Sequence, residues 1–197
     1  MRHLARSAHA RIEIPYGDET MTLELAAERL RGVYTPHSLP AVSDVTQEVQ
    51  RALQAPIDAL PLHELARGAQ RVVIVADDNT RPTPTDLILP VLLDALNAGG
   101  VQDGQITVLI ALGTHRPMTA AEVARKFGPV VTSRVAVVNH SAFDPAHLVD
   151  LGVTPGGVSV QVSRLVVEAD LVLGVGSIVP HHIPGYSGGA KIIQPGV

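Results

Sequence analysis

Cysteine and tryptophan are absent from the 197 residues, and the only other aromatics are two Phe and three Tyr. Without cysteine there is no disulfide framework and no thiolate metal site, so a metal would need His, carboxylate or a borrowed ligand. The lack fits the cytoplasm, which is the expected location. With so few aromatic rings the core must be built from Val, Leu, Ile and Ala, which pack well between a parallel sheet and its covering helices. Charge is also sparse. Asp, Glu, Lys and Arg make up 17% of the chain, the formal net charge is -4, and the basic residues are scattered. A nucleic-acid partner normally requires a basic stripe, so none is expected. No apolar run approaches the roughly 18–20 residues needed to span a bilayer. The opening MRHLARSAHARIEIP carries basic residues but no apolar signal core, so neither a membrane partner nor export is expected.

What is there is apolar: 46% of the residues. A chain of this length and composition is long enough to bury one substantial core, so residues 1–197 are expected to form a single domain. Continuous apolar runs alternate with helical patterns, as an open α/β fold with a mainly parallel, Rossmann-like sheet and flanking helices requires. The predicted strands are Arg71–Ala76, Ile106–Leu112, Arg134–Val138 and Asp170–Val175. Helices are expected over Ala41–Gln54, over about Asp86–Asn97, and after a capping box of Thr119 and Glu122, with Gly128-Pro129 as its stop. Pro90 is compatible with the second of these only near the first turn. A β-hairpin is expected over Arg11–Leu25 around Gly17-Asp18, and another over His147–Val162 around Pro155-Gly156-Gly157. No internal repeat or low-complexity linker is present.

In open α/β sheets ligands bind beyond the carboxyl ends of the strands, and these ends carry the chemistry here. The first strand runs into Asp77-Asp78-Asn79-Thr80-Arg81-Pro82-Thr83-Pro84 and the second into Gly113-Thr114-His115-Arg116-Pro117. The third runs into Asn139-His140-Ser141. The fourth runs into Gly176-Ser177-Ile178-Val179-Pro180-His181-His182 and then Gly185-Tyr186-Ser187-Gly188-Gly189-Ala190-Lys191. Asp78 and Arg81 suit a sugar hydroxyl and a carboxylate or phosphate, since Arg offers a planar fork; they also suit a helix cap with mutual pairing. His115 suits a general acid or base, or a solvated loop residue. Of His181 and His182 only one is expected to face the site, because adjacent residues point differently. The glycines before Lys191 do not match the Walker pattern, so ATP hydrolysis is not supported; their amides suit an anion, and Lys191 suits a charge or a covalent anchor. His140 and His147 are read as structural, and His3, His37 and His63 as surface residues.

Three motifs, D-D-x-T-R-P-x-P at 77–84, G-T-H-R-P at 113–117 and H-x-I-P-G-Y-S-G-G-x-K at 181–191, resemble the nickel-dependent lactate racemase family. The resemblance covers most of the N-terminal half of a typical member. It implies a racemase or epimerase that inverts lactate or a related 2-hydroxy acid by proton-coupled hydride transfer. The implied cofactor is a nickel-pincer nucleotide, a pyridinium-bisthiocarboxylic acid mononucleotide holding nickel, attached at Lys191. His115 and His181 match the two catalytic histidines. Asp78, Asn79, Thr80 and Arg81 match the cofactor and substrate loop, with Arg81 orienting the substrate carboxylate. His182 has no role carried over, and no metal ligand is assigned within this chain, the nickel being held by the cofactor. Members continue into a second domain, so the chain is expected to be the N-terminal domain alone, with the C-terminal domain absent and the isolated chain inactive. A homo-oligomer is the other implied partner. Two further readings stay open: a nucleotide- or anion-binding module without turnover, and motifs that serve only as turns and caps.

Overall fold

The structure, a computed structural model, describes residues 9–35, 37 and 39–197. His3 lies outside the described residues. The chain divides into two compact units, Met1–Ala41 and Val42–Val197. In the first, β1 (His9–Tyr16) and β2 (Glu19–Ala26) pair antiparallel along their whole length, the hairpin expected from the sequence. The turn needs Gly17, whose φ of +61° side chains disfavour. Strand alternation sets Ile12 opposite Leu23 and Ile14 opposite Met21, giving the hairpin one apolar face.

The second unit opens with α1 (Val45–Gln54) and the short α2 (Leu62–Leu65). The predicted start of α1 at Ala41 is four residues early. Asp44 ends the extended chain there, its side chain accepting from Gln47 N at 3.0 Å and satisfying one of the orphan donors of the first turn. Then follow β3 (Val72–Asp77), α3 (Thr85–Ala98), β4 (Ile106–Ala111), α4 (Ala120–Arg134) and β5 (Ala136–Asn139). The chain continues through β6 (Leu148–Val153), β7 (Ser159–Ser163), α5 (Arg164–Val167) and β8 (Leu171–Val175). A two-residue pair, β9 (Pro180–His181) and β10 (Gly185–Tyr186), and a helical turn at Gly189–Ile192 complete it. Among the described residues no helix is long and apolar enough to cross a membrane.

Four strands form one parallel sheet in the order β5-β4-β3-β8, as expected for an α/β fold. One face, with Val72, Ile74, Ala76, Val108 and Ile110, packs against Leu89, Leu93, Leu96, Phe127 and Val131 of α3 and α4. Val73, Val75 and Leu109 on the other face meet Val166, Ile192, Ile193 and Val197. Burial on both faces explains why these strands read as unbroken apolar runs.

Three local details depart from the sequence reading. Pro90 is the sixth residue of α3, deeper than a first-turn position, so the Asp86 carbonyl has no i+4 donor. The buried Leu89, Leu92, Leu93 and Leu96 hold the helix together across it. Gly128, at φ 74° and ψ 163°, does break α4, but Pro129 then opens a second helical segment that runs to Arg134. Arg134 therefore ends a helix instead of opening a strand. Its guanidinium reaches Asp94 at 2.7 Å and Asp103 at 2.9 Å, and β5 begins two residues later. The hairpin of β6 and β7 forms as expected, a separate two-stranded sheet with an irregularity between Asp150 and Val153.

From β3 the chain steps outward to β4 and β5, then returns to lay β8 on the opposite side of β3. This reversal opens a crevice beyond the carboxyl ends of β3 and β8.

Candidate functional site

Asp77, the last residue of β3, organises the floor of that crevice. Its Oδ2 accepts from Thr83 Oγ1 at 2.5 Å and from Ser177 N at 3.3 Å, tying the loop after β3 to the loop after β8. Its Oδ1 has no hydrogen bond of regular angle and is neutralised by Lys126 Nζ at 3.2 Å. Lys126, on α4 and only 9% exposed, also donates to the carbonyls of Arg81 at 2.8 Å and Thr83 at 2.9 Å. Both carbonyls precede a proline in a loop short of N–H donors, so the ammonium adds to the few bonds the loop makes within itself, such as that from Thr85 N to the Thr83 carbonyl at 2.9 Å.

The next residue, Asp78, is buried, and its Oδ2 lies 2.6 Å from His115 Nδ1. Its Oδ1 accepts from Thr80 N at 3.0 Å and from Thr80 Oγ1 at 2.5 Å. Burial opposes the charge on Asp78, but the hydrogen bonds from His115 and Thr80 outweigh it and hold the carboxyl below its usual range. Thr80 Oγ1 in turn accepts from the Arg81 guanidinium at 2.9 Å. Arg81, Thr80, Asp78 and His115 thus form one connected row.

The loop carrying His115 is fastened at both ends. Arg116 forms a two-pronged pair with Glu122 at 2.6 and 2.9 Å, and Glu122 also closes the predicted capping box with Thr119. Chiefly because of Arg116, the Glu122 carboxyl is pulled down to about 2. Beyond the loop, the Asn139 amide both accepts from Met118 N and donates to Met118 O, each at 3.0 Å.

The fourth strand's loop turns back through β9 and β10. Ser187, buried, accepts from Val179 N at 3.0 Å and donates to Ser177 O at 2.7 Å. Gly188 has φ +70°, and a Cβ there would come within 3.0 Å of Ser177 O. His181 Nδ1 accepts from Ile183 N at 3.2 Å, so the neutral ring carries its proton on Nε2. Desolvation, then the charges of Lys191, His182 and Arg81, lower its pKa.

These pieces line a single cleft of about 220 Å³: Asp78, Thr80, Arg81, His115, His181 and Lys191, with Ser177 and Gly188. Asn79 is not among them; its amide donates to Glu122 at 3.3 Å, on the outer side of the loop. His182 does not line the cleft either, as expected for one of an adjacent pair. The two rings do not diverge, however, but stack, with centroids 4.8 Å apart and planes 8° from parallel. His140 is buried, with its pKa lowered by desolvation and by His147. His147 pairs with Asp144 at 2.9 Å, while His37 and His63 are exposed. Lys126 is the functional support that sequence reasoning missed, while Ser177, Ser187 and Asn139 fell within the strand-end segments without an individual role.

The donors that remain are the Lys191 amine, the glycine-rich backbone and the Arg81 N–H groups other than those on the nitrogen held by Thr80, while the carboxylates of Asp77 and Asp78 are already engaged. A Cβ at Gly188 or Gly113 would crowd a backbone oxygen, at 3.0 and 3.2 Å, and both residues have positive φ, so glycine suits these turns. This donor set fits an anionic, nucleotide-like group. No cluster of three or more metal-ligating side chains occurs among the described residues.

A sequence profile described as the lactate racemase N-terminal domain matches residues 16–197. Among curated relatives, a lactate racemase of Thermoanaerobacterium thermosaccharolyticum is 36% identical over 190 residues, and one of Lactiplantibacillus plantarum 33% identical over 188. The alignments cover 95% and 94% of this chain but only 44% of either relative, so the chain spans less than half their length. The structure of the lactate racemase apoprotein from T. thermosaccharolyticum superposes with a TM-score of 0.78, at 36% identity, over 95% of this chain and 44% of that one. A crystal structure of a Thermotoga maritima protein gives 0.65, at 28% identity, over 77% and 38%.

Proposed function

The chain belongs to the lactate racemase N-terminal domain family, and from that premise we propose that it is the cofactor-bearing domain of a racemase or epimerase acting on lactate or a related 2-hydroxy acid. One observation carries the reading: two histidines, an arginine and a lysine converge on one cleft, and a buried carboxylate fixes the first histidine's proton.

Inverting a carbon requires proton handling on both of its faces, and the two imidazoles offer complementary groups. Asp78 takes the hydrogen bond from His115 Nδ1, which leaves the Nε2 lone pair to accept a substrate hydroxyl proton. His181 in its neutral form offers an N–H at Nε2, suited to hydrogen-bond the same oxygen from another direction. Arg81 binds the substrate carboxylate through its planar fork. Lys191 and the glycines before it would hold a nickel-pincer nucleotide, with Lys191 as its point of attachment. When bound, that group supplies the hydride-accepting chemistry that protein side chains lack. A C-terminal domain or a second copy of the chain is the proposed partner, and the cytoplasm the proposed location.

The test is intact-mass spectrometry of the chain from a host that makes the pincer cofactor, with Lys191→Ala beside it. An added mass with nickel in the wild type, lost in the variant, supports the reading; an unmodified mass in both sinks it.

A second reading, a nucleotide-binding module without turnover, is favoured by the 52% exposure of the His115 side chain, since hydride chemistry demands that water be kept out. Racemisation by the cofactor-loaded chain would eliminate it.

A further inference from the structure

Ser177 lies at the start of the loop after β8, half-buried, and contributes to the cleft wall. Its Oγ is 2.5 Å from Thr83 Oγ1, and Thr83 Oγ1 is 2.5 Å from Asp77 Oδ2. The direction of this chain of bonds follows from counting protons. Asp77 is paired with the Lys126 ammonium and, as a carboxylate, can only accept. Thr83 has one hydroxyl proton and gives it to Asp77. Towards Ser177, therefore, Thr83 can only accept, and the single Ser177 proton is directed inward.

From this we infer that Ser177 offers the cleft a hydrogen-bond acceptor and no donor, and so selects a ligand that brings a hydroxyl group to it. A ligand carbonyl or carboxylate oxygen at the same place would set lone pair against lone pair, whereas a hydroxyl completes the row: ligand O–H to Ser177, Ser177 to Thr83, Thr83 to Asp77. Lys126 sustains the polarity of the row as the ammonium partner of Asp77 Oδ1, although it does not itself line the cleft. The hydroxyl has two chemical sources, the 2-hydroxy acid of the proposed function or the ribose of a nucleotide; the first rests on that proposal and the second does not rest on turnover.

The experiment is calorimetry on this chain with two matched pairs: lactate against propionate, and AMP against 2′,3′-dideoxy-AMP. The wild type is expected to favour the hydroxyl-bearing member of at least one pair by about 10-fold, the effect of one hydrogen bond of typical strength. Ser177→Ala is expected to erase that preference. Thr83→Val, which frees the serine proton to turn outward, is expected to erase it too and to strengthen pyruvate binding. Loss confined to the AMP pair, with lactate and propionate bound alike by the wild type, would uphold Ser177 and count against the 2-hydroxy acid reading. Equal binding within both pairs by the wild type, or a full preference retained in Ser177→Ala, overturns the inference. If Thr83→Val does not fold, judged by its circular dichroism, the half-exposed Ser177→Ala decides alone.

Discussion

His115 Nδ1 and Asp78 Oδ2 are 2.6 Å apart, and the two side chains differ sharply in exposure, 52% for the imidazole and 4% for the carboxylate. The buried partner is the one whose orientation is fixed, through two further bonds from Thr80. The exposed ring is thereby held to one tautomer by a buried acceptor.

Asp78→Asn is expected to remove that preference, because an amide can donate as well as accept. In nitrogen-15 spectra, His115 should change from the Nδ1–H form to a mixture. Racemisation by cofactor-loaded protein should fall by about 100-fold or more, the scale of a lost general base. Unchanged spectra would show that Asp78 does not set the tautomer.

Lys126→Met is expected to be strongly destabilising, by about 3–5 kcal/mol, because it leaves the Asp77 carboxylate buried without its counter-ion. Asp77→Asn combined with Lys126→Met should recover much of the loss. Urea unfolding of the two variants checks both; equal stability of the single and double variants would contradict the pairing.

Glu122 and Asp78 both have lowered folded pKa values. In the unfolded chain their carboxyls bind protons more readily, so the stabilisation they give is complete above the ordinary carboxylate range. For Glu122 it is lost as the pH falls from about 4.5 towards about 2. Melting temperatures measured across that range should fall less steeply in Glu122→Gln than in the wild type. A wild-type slope in the variant would assign the acid transition elsewhere.

His181 shifts the other way in charge: its neutral form is favoured, so the folded protein resists protonation there. Its contribution to stability is full above about pH 6.5, the ordinary histidine value, and declines as the pH drops below it. Lys191→Met removes a neighbouring positive charge and should raise the His181 midpoint in a proton NMR titration. A midpoint that does not move would mean that Lys191 does not sense the ring.

The parallel sheet and the loops that carry the cleft were legible because both depend on local pattern: apolar runs of strand length, then glycines, prolines and charged residues at the strand ends. The capping box of Thr119 and Glu122 was legible for the same reason, being complete within four residues. Lys126 was not, since its partners stand 43 and 45 residues away and its register on α4 looks like any solvated helical face. Asn79 fills the variable position of the motif and was carried along with its neighbours, yet the turn that aims Asp78 and Arg81 inward aims Asn79 at Glu122. The stacking of His181 on His182 depends on the tight reversal between β9 and β10, which no periodicity announces. Arg134 was misread because an apolar run follows it directly, and only the distant Asp94 and Asp103 explain why it stays with the helix.

The return of β8 to the far side of β3 has a consequence for how the protein is born. Asp77 and Ser177, which meet on the cleft floor, are 100 residues apart in the chain. On a ribosome, β3, β4 and β5 can assemble while β8 is still unmade, since each pairs with a strand close in sequence. Such a nascent sheet has one open edge where β8 will dock, and at that edge the first wall of the cleft stands without the second. A cleft with both walls therefore waits for the last strand of the parallel sheet.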